Sequence, residues 1–277
     1  MNLNFEDLEN ALQEEQTFDF DKTFNSCFVD LSIEIPKPEI LISIGTHEYK
    51  GNHYDTAVCT AGEFSAIVGQ SKSKKSFLKS AICASYIGGN TNNLFPNIKG
   101  HRTKDYGIID IDTEQGNYYA QRTFRRPIEM VGGNYQNYHS FATRHLSTPE
   151  RLKFTDELLI NQSKFCKEKV KLLFIDGVAD LVENTNDLVM SKEVADYLLR
   201  WTSQYNIHIC TVIHKASGTN KPLGHLGTFV LKKAETVIDL EKDDLGQIKV
   251  TNPYSRGYQF EEFSFYVNKN ALPYLVE

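Results

Sequence analysis

The sequence predicts an α/β protein with a mostly parallel central sheet flanked by helices and an antiparallel β extension at its C-terminal end. Three observations predict it. An apolar run at 64–68 meets a glycine-bearing loop and then an apolar pattern at helical spacing over 77–87. From Ile40 onward strand and helix patterns alternate, which implies βαβ units and a parallel sheet covered on both faces. After Lys233 the alternation gives way to short strands separated by turns.

In chain order, residues 1–39 read as an acidic N-terminal extension and linker, and 40–277 as one domain. Within 2–16 the spacing of Leu3, Phe5, Leu8, Ala11 and Leu12 fits an amphipathic helix that docks on a neighbour. A free arm or a loosely ordered terminus fits equally well. Pro36-Lys37-Pro38 is a rigid spacer. Residues 106–111 are strand-like, 115–130 helical and 138–142 a short strand. The helix expected over 148–167 opens with Ser/Thr-Pro-Glu capping chemistry. Residues 170–175 form a buried-strand pattern, 191–205 a helix and 207–213 another strand. Strands at 236–241, 247–251 and 261–267 complete the chain.

Composition narrows the function. At 40% hydrophobic and 12% aromatic residues, the 277-residue chain has enough apolar material for a sizeable core and is unlike a disordered polymer. A net charge of −6 excludes a generic polyanion binder. Any nucleic-acid contact must come from a local basic patch or from surfaces that several subunits assemble. The five cysteines are widely spaced and include no C-x-x-C pair, so neither a disulfide framework nor a zinc cluster is indicated. Reduced, buried thiols in a cytoplasmic protein are the simpler account. No signal pattern and no apolar run of membrane-spanning length is present, so no membrane partner is expected.

The loop at 69–76 is Gly69-Gln70-Ser71-Lys72-Ser73-Lys74-Lys75-Ser76, followed by Phe77. It matches the phosphate-binding pattern G-x-x-x-x-G-K-[ST] except that Lys74 stands at the second glycine. In that pattern backbone N–H groups wrap phosphates, the lysine reaches the outer phosphates and the hydroxyl ligates Mg²⁺. Open parallel sheets place their sites beyond the strands' C-terminal ends. Glu114 follows one core strand, Asp176 the next and His214 a third. Asp176 has the form of a Walker B carboxylate that holds Mg²⁺ together with Ser76. Glu114 can orient and deprotonate an attacking water, and His214 can donate to the terminal phosphate. Each has a plainer reading alone: a turn cap, a helix-dipole acid, a satisfied strand-end histidine. Their arrival from separate strands favours a nucleotide site.

Over roughly residues 40–277 these segments resemble the RecA-like P-loop ATPases. The nearest likeness is to the RepA/DnaB-like helicase group and to RepA-like ATPases of plasmids, phages and mobilizable elements. Residues 61–69 resemble their strand leading into the P-loop, and 111–115 the strand that presents a catalytic glutamate. Residues 212–215, 224–228 and 233–237 resemble their sensor strand, loop and following segment. The resemblance implies ATP and Mg²⁺ as ligands, with Lys75 and Ser76 on phosphate and metal. It makes Glu114 the base, Asp176 the Walker B acid and His214 the γ-phosphate sensor. Arg256 falls where such proteins place an arginine finger that reaches a neighbour's nucleotide, although Tyr254 replaces the lysine often found two residues earlier. The segment 215–225, with Lys215, Lys221 and His225, falls where the family touches single-stranded DNA, but it holds no aromatic residue for stacking. The implied protein is an oligomeric ring, hexameric in such helicases, acting with replication or mobilisation proteins. The alternative is a nucleotide-gated adaptor or regulatory ATPase with weak turnover, because a lysine Cβ at position 74 narrows the loop where glycine allows positive φ.

Overall fold

The computed structural model describes residues 18–88, 94–216, 218–219 and 221–276. The amphipathic pattern at 2–16 lies outside them. The chain divides into two units, 1–37 and 38–277. In the first, Asp19 caps helix α1 (Phe20–Cys27) by accepting the Lys22 N–H at 3.0 Å. Phe20, Phe24 and Phe28 recur every four residues and form an exposed ladder of rings, with centroids 5.8 and 5.7 Å apart.

The second unit begins with a small antiparallel sheet, β1 (Ile40–Tyr49), β2 (Asn52–Thr60) and the later β4 (Ile98–Gly100), in the order β2-β1-β4. Between them come β3 (Phe64–Gly69) and α2 (Lys75–Gly88). The chain continues through β5 (Gly107–Asp112), α3 (Asn117–Val131), β6 (Tyr138–Ala142) and α4 (Thr148–Ile160). Next are β7 (Val170–Asp176), α5 (Leu188–Tyr205), β8 (His208–His214) and α6 (Gly224–Lys233). The last strands are β9 (Thr236–Lys242), β10 (Ile248–Ser255), β11 (Phe263–Val267) and β12 (Pro273–Leu275).

The main sheet has nine strands in the order β12-β11-β10-β9-β3-β8-β7-β5-β6. From β9 to β6 every neighbouring pair is parallel, and from β9 outward through β12 the pairs are antiparallel. The four inner strands β3, β8, β7 and β5 are buried on both faces, and their side chains alternate between two cores. Phe64, Val68, Ile109, Ile111, Leu173 and Ile175 face α4, α5 and α6. Ile67, Ile108, Leu172 and Phe174 face α2 and the small sheet. That sheet departs from the simple strand–helix alternation expected after Ile40. Register shifts along β1 break its period of two, which hides the hairpin from a pattern reading.

The helix expected over 148–167 ends at Ile160, and a short 3₁₀ turn, Gln162–Lys164, follows. The capping box expected at its start is present: Ser147 and Glu150 bond reciprocally. Four of the cysteines are buried, but Cys27 is exposed. Among the described residues no helix is long and apolar enough to cross a membrane.

Candidate functional site

Four adjacent strands of the parallel sheet, β3, β8, β7 and β5, end at one rim. They deliver respectively the 69–76 loop, His214, Asp176 and the 112–115 turn. A cleft of about 390 Å³ lies there, lined by 71–77, Asp112, Glu114, Gln115, Thr123, Arg126, Asp176 and His214. Lys75, Ser76, Glu114, Asp176 and His214 are thus brought together from segments far apart in the chain.

The loop adopts the glycine-like backbone without the second glycine. Lys72 and Lys74 sit at φ +65° and +69°, a region that costs an L-residue with a Cβ about 1–2 kcal/mol. Gly69 is needed for packing: a Cβ there would lie 2.7 Å from the Leu240 carbonyl oxygen. The Lys74 ammonium lies 5.1 Å from the Phe77 ring centroid, and the Arg126 guanidinium carbon 3.8 Å from it.

Lys75 is buried. Its ammonium donates to the carbonyls of Gly69 (3.0 Å) and Gln70 (2.9 Å) and lies 3.0 Å from His214 Nδ1. Burial pulls its pKa down to about 8, against the opposing pull of Asp176 and Glu114. His214 Nε2 is 3.3 Å from Glu114 Oε1. That hydrogen bond, opposed by burial and assisted by the charges of His214 and Lys75, holds the Glu114 carboxyl below the usual range. Lys75, His214 and Glu114 therefore form one continuous polar chain across the cleft.

The acidic turn is fixed by its own side chains. Asp112 accepts the N–H groups of Glu114 (3.1 Å) and Gln115 (2.7 Å). Thr113 Oγ1 lies 3.0 Å from the carbonyls of both Asp176 and Gly177, and 2.7 Å from Asp180 Oδ2. This pins the end of β5 to the end of β7, and so Glu114 to Asp176. Gly177, at φ +104°, allows the approach: a Cβ there would collide with Thr113 Oγ1.

Sequence reasoning missed a buried charge cluster beneath the cleft. Lys79, one turn beyond Lys75 on α2, is fully buried between Asp110 (2.6 Å) and Asp176 (3.5 Å). Burial alone would lower its pKa, but the two carboxylates outweigh burial and hold the ammonium above the ordinary lysine range. Asp110 also accepts the Tyr138 hydroxyl at 2.7 Å. Arg126, also buried, donates to the Ser76 carbonyl (3.3 Å), Ser80 Oγ (3.0 Å) and the Ala271 carbonyl (3.1 Å). Burial pulls it down to about 10, so it remains a cation at neutral pH. The only clue in the sequence was a charge at an inward position of an apolar pattern.

Ser73 Oγ, buried in the cleft wall, has no hydrogen-bond partner, and Asp176 Oδ2 has none beyond its 3.5 Å ion pair with Lys79. Unpaired buried oxygens suit a polar ligand rather than an apolar one. Among the described residues no group of three or more His, Cys, Asp or Glu forms a self-sufficient metal cage. The donor set suits instead a metal that shares its coordination with phosphate oxygens, with Ser76 and Asp176 as protein ligands.

Four expected site residues lie elsewhere. Arg256 donates to Glu63 (2.9 Å) and to the Lys233 carbonyl (2.7 Å), and it lines a neighbouring cavity of about 720 Å³ with Tyr254 and Leu231, which meets the cleft at His214. That cavity is the larger, but it lacks the loop and the Glu114–Asp176 pair, so chemistry rather than volume selects the smaller cleft. Lys215, expected as a phosphate contact, is buried in an ion pair with Asp239 of β9 at 2.7 Å, and its main chain forms a bridge with Pro222. His225 lies in the first turn of α6 and is exposed. Lys221 is also exposed. Gln70 Nε2 donates to the Thr219 carbonyl at 2.6 Å, which ties the phosphate-type loop to this segment.

No protein-family model matches the chain, and no curated protein matches it.

Proposed function

We propose that the chain is a RecA-like P-loop ATPase of the RepA/DnaB-like group. It binds Mg·ATP in the cleft at the rim of the parallel sheet and hydrolyses it. The observation behind this reading is the meeting of Lys75, Glu114, Asp176 and His214 around one loop of positive-φ backbone. Lys75 neutralises charge on the outer phosphates, and backbone N–H groups of the loop donate to the remaining phosphate oxygens. Glu114 orients the attacking water and takes its proton as oxygen bonds to the γ-phosphorus and the bond to the ADP oxygen breaks. His214, already bonded to both Lys75 and Glu114, is placed to register the change in phosphate charge. A Mg²⁺ held by Ser76 and Asp176 would neutralise phosphate charge. The proposed context is replication or mobilisation of an accessory element, as an oligomer on single-stranded DNA in the cytoplasm.

A second reading, a nucleotide-gated adaptor with slow turnover, draws on Lys74. Its side chain occupies a loop position where glycine would leave room. Titration calorimetry with Mg·ATP tests binding: Lys75→Ala is expected to abolish it, and equal affinity in both forms refutes the site. Steady-state ATP turnover of wild type and Glu114→Gln then separates the enzyme from the adaptor.

A further inference from the structure

The segment expected to touch nucleic acid is poorly equipped for it, since Lys215 is consumed by Asp239 and no Phe, Tyr or Trp is present. The means are concentrated elsewhere. Residues 115–149 contain four of the chain's eight arginines and a single acidic residue, Glu129, in a protein whose net charge is −6. On α3, Tyr118, Arg122 and Arg125 follow one another at helical spacing and are all exposed. Tyr118 and Tyr119 are 69% and 60% exposed, with ring centroids 5.3 Å apart in a T-shaped pair. Arg144 is exposed too, and its guanidinium lies 3.6 Å from the Cβ position of Gly116, at the start of the same helix. Among the described residues the side chains of Arg122, Arg125 and Arg144 make no hydrogen bond or ion pair.

Exposed arginines with no protein partner around a pair of exposed rings leave both guanidinium forks and ring faces open to a ligand. Arginine forks match phosphate oxygens, and tyrosine faces accept any base by stacking. A duplex offers the phosphates but hides the base faces; a single strand offers both. We propose that Tyr118, Tyr119, Arg122, Arg125 and Arg144 form a binding surface for single-stranded nucleic acid. The sugar–phosphate backbone lies along the arginines and bases stack on the tyrosines. The binding surface does not rest on the nucleotide reading above, so binding is measured without nucleotide.

The probe is a fluorescently labelled oligothymidylate or oligouridylate of about 20 nucleotides, longer than the roughly 4–16 that one such site covers, followed by anisotropy. Wild type is expected to bind, and the better of the two strands identifies DNA or RNA as the ligand. Tyr118→Ala with Tyr119→Ala weakens binding about tenfold or more, whereas Tyr118→Phe with Tyr119→Phe retains it. Each of Arg122→Ala, Arg125→Ala and Arg144→Ala lowers the salt slope by about one. All these residues are exposed, and unchanged circular dichroism confirms folded variants. The proposal is overturned if wild type binds neither strand or if the alanine variants bind as wild type does. It is equally overturned if a duplex binds as tightly, if polyglutamate competes as well as the oligonucleotide, or if only Lys221→Ala loses binding. ATP binding that persists alongside any of these results leaves the cleft reading intact.

Discussion

Replacing Lys79 by Met tests whether the cluster beneath the cleft is as tightly coupled as its geometry implies. Lys79 and Asp110 are both fully buried, 2.6 Å apart. Methionine fills the lysine's volume but leaves the Asp110 carboxylate with the Tyr138 hydroxyl as its remaining partner. Breaking a buried pair from one side costs about 3–5 kcal/mol. For a domain of this size that is a fall in Tm of roughly 6–20 °C. Asp176 adds less, because it is 3.5 Å away and keeps a little exposure. The penalty belongs to an uncompensated charge, which gives a further signature. The double variant Lys79→Met/Asp110→Asn removes the charge and keeps the acceptor for Tyr138, so it recovers at least half of the loss. Urea unfolding followed by circular dichroism reads wild type and both variants. A single variant that loses less than about 1 kcal/mol, well below the buried-pair range, refutes the reasoning. So does a double variant no more stable than the single.

Further outcomes are expected. Nucleotide binding raises the pKa of Lys75 from about 8, so affinity falls as pH rises through about 8. Calorimetry in buffers of different ionisation enthalpy should show proton uptake there, and a flat pH profile would exclude Lys75 as the phosphate ligand. Lys74→Gly relieves about 1–2 kcal/mol of left-handed backbone, of which roughly 0.4–1 kcal/mol returns as unfolded-chain entropy. Urea denaturation should show a small net gain, and a loss would show that the Lys74 side chain stabilises the loop. His208 is fully buried, its ring nitrogens 2.9 Å from the Thr60 carbonyl and Ser65 Oγ, and burial lowers its pKa to about 4. Since the unfolded value is near 6.5, its contribution of about 3 kcal/mol is present above that value and is lost as pH falls toward 4. His208→Gln should flatten this part of a stability-against-pH curve.

The parallel sheet and the site residues were legible because both follow from local pattern. Runs such as 170–175 are continuous and apolar because both sheet faces are covered. A polar residue directly after each run lies at the sheet's C-terminal rim, which is how Asp176 and His214 were found. The small sheet was not legible, since β1 carries bulges and pairs with β4 across more than forty residues. Lys79 and Arg126 were missed for a related reason. A long cation in a helix reads as solvated until tertiary structure supplies Asp110, or Phe77 and the Ser76 carbonyl. Lys215 shows the reverse error: a basic residue at a loop's start was read as free, but Asp239 arrives from β9, a strand later in the chain. Pairings between distant segments leave no mark in a one-dimensional pattern.

The Lys75 ammonium is held by two carbonyl oxygens of its own loop and by the His214 ring. An incoming anion does not meet a bare charge; it must displace acceptors that already suit the cation. An anion that offers several oxygens at once can replace more of those acceptors than one that offers a single oxygen. On the nucleotide reading proposed above, the same exchange would free the imidazole and, through it, Glu114, so that selecting the ligand and releasing the water-orienting carboxylate would be one event.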